Sequence, residues 1–304
     1  MRTAFFKKLE RMYADNSDIV VLTGDLGYKL FDEFRAIDRK RFYDVGVAES
    51  NMIGLASGLA LCGKMVYCYS IVPFLVMRPF EQIRNDVAYH NLDVRLVGAG
   101  GGFAYGLEGI THHGLEDIAL MRTLQNMTIV APADRFEAER IAELSFHHQG
   151  PMYIRLGHTN EPAVHDHKPD IEIGKVSVLL EGKDVALLSY GRTVSICSKA
   201  IDLMSGDSIK PSLINMHTIK PLDIEAISEI FKNNDMVLVV EEHISEGGLG
   251  SAVAELAADS DYRGKMRRVG IDRTKTFIGR ADYLRKRHGL APENIADSVR
   301  KEIA

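Results

Sequence analysis

Glu49 has the most pointed chemical setting in this 304-residue chain. It stands in Asp44-Val-Gly-Val-Ala-Glu-Ser-Asn-Met52, where a short apolar strand over residues 42–45 ends in a glycine turn. A helix then begins, with apolar residues at Ile53, Leu55, Ala56 and Leu59. A carboxylate at the mouth of such a helix has a fixed direction and a mostly buried setting, which suits one oriented hydrogen bond or proton transfer. The plainer reading is an acid placed at a helix start because the dipole favours it there. A second candidate is Thr111-His112-His113, between a glycine-rich loop and a helix starting near Glu116. An imidazole at that place can donate to a developing alkoxide or shuttle a proton. The run Gly98-Ala-Gly-Gly-Gly102 fails as a dinucleotide fingerprint, because Phe103 stands where the third glycine is required and no helix pattern follows at once.

Taken together, these segments resemble the pyrimidine-binding domain of transketolases. The resemblance continues through Phe80-Glu-Gln-Ile-Arg-Asn85, Ala131-Pro-Ala-Asp134 and Ile154-Arg155 to Val240-Glu-Glu-His243, and it covers the C-terminal part of a full transketolase. It implies thiamine diphosphate as cofactor. In the family, Gly-Val-x-Glu carries the glutamate that bonds the aminopyrimidine N1′, matched here by Glu49, which makes the neighbouring amino group a base for the thiazolium C2 proton. The aromatic stacking position falls on Phe74, with Ile71 and Met77 where several relatives carry further aromatics. His112 matches the histidine of Thr-His-Gln that faces the reacting carbon. Arg155 sits where related enzymes hold a substrate phosphate, a structural salt bridge being its other reading. Glu108 replaces an aspartate that binds a donor hydroxyl, and His113 replaces the glutamine; with Arg155 they form the expected substrate-binding set. Arg2 lies near another phosphate-binding arginine of the family. Gly100 stands where sugar-phosphate transketolases usually carry a histidine, so the resemblance implies a reshaped donor pocket.

The family holds magnesium and the diphosphate with Gly-Asp-Gly and a downstream asparagine on a preceding domain. This chain has Gly24-Asp-Leu26 and no Gly-Asp-Gly, so no metal ligands are expected within it. The resemblance therefore implies a separate N-terminal transketolase subunit that binds Mg2+ and the diphosphate, an active site shared between chains, an α2β2 assembly and sugar phosphates as substrates. The competing readings are a 2-oxo acid dehydrogenase β subunit, a 1-deoxyxylulose 5-phosphate synthase-like enzyme, and a catalytically inactive assembly or regulatory partner.

The elements that must position these residues read as α/β. Short apolar runs at Ile19–Thr23, 41–45, 65–70, 94–98, 127–131 and 152–155 alternate with helical patterns, as in a parallel sheet. A polar, proline-bearing stretch without periodicity follows. A second series places strands at Val185–Ser189, 212–216, 236–240 and 266–269 and helices at 193–204, 224–231, 248–258, 281–288 and 292–303. The expected fold is thus two parallel-type α/β sheet domains: a pyrimidine-binding domain over 1–160, a linker over 161–174 and a smaller C-terminal domain over 175–304. A formal charge of −5 gives no electrostatic reason for nucleic-acid binding. No stretch is long and apolar enough to span a bilayer, and the expected place is the cytoplasm. Cys62, Cys68 and Cys197 lack metal-ligand spacing and read as reduced thiols.

Overall fold

The computed structural model describes residues 1–158, 161–272, 274–275 and 277–303. Its first strands are β1 (Ile19–Thr23), β2 (Phe42–Asp44), β3 (Met65–Ile71), β4 (Val94–Ala99), β5 (Thr128–Val130) and β6 (Met152–Leu156). A second group comprises β7 (Ser177–Leu180), β8 (Val185–Ser189), β9 (Pro211–Asn215), β10 (Thr218–Lys220), β11 (Met236–Ile244) and β12 (Lys265–Ile271). They form a seven-stranded sheet in the order β10-β5-β6-β4-β3-β1-β2 and a five-stranded sheet in the order β12-β11-β8-β9-β7. Each sheet is parallel except for one antiparallel edge strand, β10 in the first and β7 in the second.

Both faces of the first sheet are covered, which is why its strands are continuous apolar runs. Along β1, Ile19 and Val21 face one cluster while Val20 and Leu22 face another. The first cluster takes Phe5, Phe6 and Leu9 from the helix Arg2–Asp15 and Ile141 and Ala142 from Arg135–His147. The second takes Met52, Ile53 and Ala56 from the helix Glu49–Leu61 and Leu75 and Val76 from Val72–Met77, and it runs on into the second sheet through Leu188, Ile214, Val237 and Val239. One apolar layer therefore joins the two sheets. Strand β10 strengthens that join: it follows β9 of the second sheet in sequence yet pairs with β5 of the first. Sheet membership thus departs there from a division of the chain at the linker. The residues at 39–41, placed partly in a strand by the sequence, instead form a 3-10 turn capped by the Asp38 carboxylate.

Candidate active site

Three strand ends converge on Glu49. Strand β2 runs into a turn at Gly46, whose φ of +72° is a left-handed conformation that glycine adopts without penalty, and the helix starts at Glu49. The carboxylate is 2 % exposed and lies near Gly24, just after β1, and Ser70 near the end of β3. Crowding at Gly24 sets that position, since a Cβ there would come within 3.2 Å of the Gly46 carbonyl and 3.8 Å of Glu49 Oε1. Glu49 Oε1 accepts from Ser70 Oγ at 3.4 Å, and Oε2 accepts from Arg78 Nη1 at 2.8 Å.

Arg78 then leads to the other candidates. Its guanidinium carbon lies 4.2 Å from the centre of the Phe74 ring, and Phe74 meets the His112 ring edge-on at 4.9 Å. Thr111 Oγ1 lies 2.9 Å from His112 Nδ1, a contact that fixes the imidazole's orientation. Glu49, Phe74 and His112, expected from separate sequence segments, are thereby brought into one connected array. Ile71 caps the short helix and is buried, while Met77 is exposed on the side of the helix it shares with Phe74, three residues away. Glu108 is exposed on a 3-10 turn, Gly106–Glu108, on the loop that carries His112.

Tyr105 extends the array outward. Its ring is edge-on to His158 at 4.8 Å and 6.2 Å from His112, and it fills the space where Gly100 would carry a side chain, a Cβ there falling 2.1 Å from the ring. Burial pushes the Tyr105 phenol pKa up, against the opposing pull of Arg2. Burial also pushes His158 down, and Arg2 adds to that shift. Arg2 donates to the Tyr69 hydroxyl at 3.4 Å. The Arg2 guanidinium thus lies beside Tyr69 and Tyr105 at this end of the array.

Two expected substrate-binding residues are elsewhere. Arg155 is buried, with Nε 2.7 Å from Asp117 Oδ2 and Nη2 donating to the carbonyls of Gly114 at 2.8 Å and Glu242 at 3.0 Å. Burial disfavours its charge, but Asp117 outweighs that and holds the guanidinium pKa up. Its Nε and Nη2 donors are held by the scaffold, an arrangement that favours the salt-bridge reading over the phosphate-holding one. His113 is buried too, its Nε2 3.1 Å from the Gly106 carbonyl and its ring edge-on to Phe103, which makes it a brace for the His112 loop. The glycine run receives a physical reason in the same network. A Cβ at Gly101 would fall 2.7 Å from the Arg155 guanidinium, and one at Gly102, where φ is +68°, would fall 2.5 Å from the Glu242 carboxylate. Glu242 Oε1 accepts from the Phe103 amide at 2.8 Å and from Arg285 Nε at 3.0 Å, tying the loop to the C-terminal sheet.

Sequence reasoning gave no role to Arg78, Asp117, Tyr105 or Glu242. For Tyr105 a signal existed: a glycine that replaces a side chain invites a search for the residue filling its space.

Comparison with known families decides the assignment. Residues 1–162 match the family model "Transketolase, pyrimidine binding domain", and residues 174–295 match "Transketolase, C-terminal domain". The chain belongs to the transketolase family. Among curated family members, it is 36 % identical over 258 residues to an apulose-4-phosphate transketolase subunit of Actinobacillus succinogenes, covering 84 % of this chain and 83 % of that protein. It is 35 % identical over 285 residues to a 6-deoxy-6-sulfo-D-fructose transketolase subunit of a Clostridium species, covering 93 % and 88 %. A solved structure described as a split gene transketolase, inactive beta4 tetramer, superimposes with a TM-score of 0.89 at 33 % identity, covering 99 % of this chain and 97 % of that one. The chain is thus a transketolase-type subunit of transferase class, with the α/β sheet pair of the family. Among the described residues, no group of three or more His, Cys, Asp or Glu could hold a metal, and no helix is long and apolar enough to cross a membrane.

Proposed function

We propose that this chain supplies the pyrimidine half of a thiamine diphosphate-dependent ketol transfer, in the cytoplasm, together with a separate subunit that holds the diphosphate and Mg2+. The observation that carries the reading is the connected array of a buried helix-start carboxylate, Glu49, an aromatic face, Phe74, and an oriented imidazole, His112. When bound, the cofactor would supply a carbon nucleophile for the donor ketose. Glu49 would hold the ring nitrogen by a hydrogen bond in a site drier than water, and Phe74 would give the ring a stacking face flanked by Ile71 and Met77. His112, edge-on to Phe74, would donate to the substrate oxygen on which charge develops.

A partner fits the exposed surface around the Glu49 helix. Val47 and Leu61 are each 69 % exposed, Leu55 is open as well, and a Cβ at Gly54 or Gly58 would meet nothing within 4 Å. An apolar face with two bare glycines next to a half-built site suits a close-packed helix of the diphosphate-binding subunit, in an α2β2 assembly. The Arg2 guanidinium, beside Tyr69 and Tyr105, supports a ketose carrying a phosphate or sulfonate, the groups named in the relatives' substrates. Glu108, exposed on the same loop as His112, would bind donor hydroxyls.

The test is reconstitution. The chain, mixed with the diphosphate-binding subunit, thiamine diphosphate and Mg2+, is expected to transfer a ketol unit from an anionic ketose to an aldose, and neither chain alone is expected to do so. Turnover of 2-oxo acids with a lipoyl acceptor, and none with ketoses, would overturn the reading in favour of a dehydrogenase subunit.

A further inference from the structure

Arg78 makes, within this chain alone, the two contacts that a bound aminopyrimidine ring would need. Its guanidinium donates to Glu49 Oε2 at 2.8 Å and lies over the Phe74 ring at 4.2 Å. A guanidinium is planar, carries N–H donors in its plane and stacks on aromatic faces, so it can satisfy a carboxylate and an aromatic ring at once, as a planar aminopyrimidine would. We propose that Arg78 is a cofactor-site residue that stands in for the ring before the cofactor binds and must turn away before the ring can enter. The inference rests on the reading of Glu49 and Phe74 as the ring-binding pair.

Two further features fit this role. A carboxylate that is 2 % exposed needs a partner before the cofactor arrives, because a buried unpaired charge is strongly disfavoured. Arg78 supplies one from outside: its side chain is 45 % exposed while that of Glu49 is 2 % exposed. Arg78 also lies just beyond the helix Val72–Met77, and its carbonyl is held by Ser50 Oγ at 3.4 Å. The backbone is therefore anchored while the guanidinium can swing into water. Its departure leaves Glu49 and Ser70 Oγ in place for the ring. The arginine thereby adds a fixed cost to cofactor entry and protects the subunit before assembly.

The test is calorimetric titration of thiamine diphosphate with Mg2+ into the assembled complex of this chain and its diphosphate-binding subunit. If the stand-in state dominates before binding, R78A tightens binding by about three- to tenfold, the factor by which a competing conformation lowers apparent affinity. R78Q, which keeps a planar donor without the charge, is expected to fall between R78A and the wild type. Weaker or unchanged binding in R78A would overturn the proposal, since the guanidinium would then hold the bound ring or be irrelevant to it. In the chain alone, thermal melts of R78A, E49Q and R78A/E49Q give an independent readout. R78A is expected to lower the melting temperature and the double variant to recover it, whereas additive effects would overturn the pairing. Failure of the underlying reading looks different: E49Q would then bind the cofactor as the wild type does.

Discussion

Replacing Arg155 by methionine separates a scaffold role from a substrate role. The guanidinium is 7 % exposed, and its loss leaves the Asp117 carboxylate, fully buried, with Tyr153 Oη at 2.6 Å as a remaining donor. It also strips the Gly114 and Glu242 carbonyls of the Nη2 donor they share. Breaking a buried pair by removing one partner costs about 3–5 kcal/mol, because the other charge is left uncompensated. With an unfolding entropy of about 2.1 cal/mol/K per residue over 304 residues, that corresponds to a melting temperature lower by about 5–8 °C if both sheets unfold together. Differential scanning calorimetry of the isolated subunit measures the shift. D117N/R155M, which removes both charges, should recover a large part of the loss. The reasoning is refuted if R155M melts with the wild type and, in the assembled enzyme, raises only the KM for a phosphorylated donor. That outcome would return Arg155 to the substrate.

Further outcomes follow from the same geometry. E49Q in the reconstituted enzyme should lower kcat by about 10²–10⁴-fold, the range for a positioned acid or base, with assembly unchanged by size-exclusion chromatography; full activity would remove Glu49 from catalysis. G102A places a Cβ 2.5 Å from Glu242 in a left-handed backbone, and it should destabilise the chain by about 1–3 kcal/mol in urea unfolding. The segment 161–174 should respond to pH through Asp134 and His165, whose Nδ1 lies 3.0 Å from Asp134 Oδ2. Burial opposes charge on His165, but Asp134 outweighs it and raises the pKa above 6.5. Stability from that pair is therefore complete below pH 6.5 and lost as pH rises through the raised value. Limited proteolysis of the segment should accelerate over that rise in the wild type, and in H165A should be fast at every pH. Burial opposes the Asp134 charge too, yet hydrogen bonds led by His165 bring its pKa down from 3.8 to about 2, so its own contribution is lost only as pH falls through about 2.

Much of the candidate site was legible as a proposal because its key parts lie in compact local signals. Glu49 announces itself within one strand–turn–helix segment, and His112 within a loop between glycines and a helix. The fold class was legible for the same reason, since a parallel sheet covered on both faces writes itself as repeated apolar runs. What was hidden depends on distant partners. In the sequence Arg155 reads as either a phosphate ligand or a strand-end salt bridge, and only the fold brings Asp117, 38 residues away, and the Glu242 carbonyl, 87 residues away, onto its Nε and Nη2. His113 is similar, because only the folded loop brings it under Gly106. Strand β10 has three residues, too few to show a period, and strand β7 is a half-exposed edge of four residues whose alternation is nearly as short.

Strand β10 has a consequence for how the polypeptide can be made and divided. The open side of β5 is closed by residues 218–220, which leave the ribosome well after the rest of that sheet. Until then the nascent chain carries a bare, apolar β-edge of the kind that templates aggregation. Dividing the chain between its two halves would leave that edge dependent on association with a second polypeptide. Keeping β5 and β10 on one polypeptide is what closes the edge of the first sheet from within the chain.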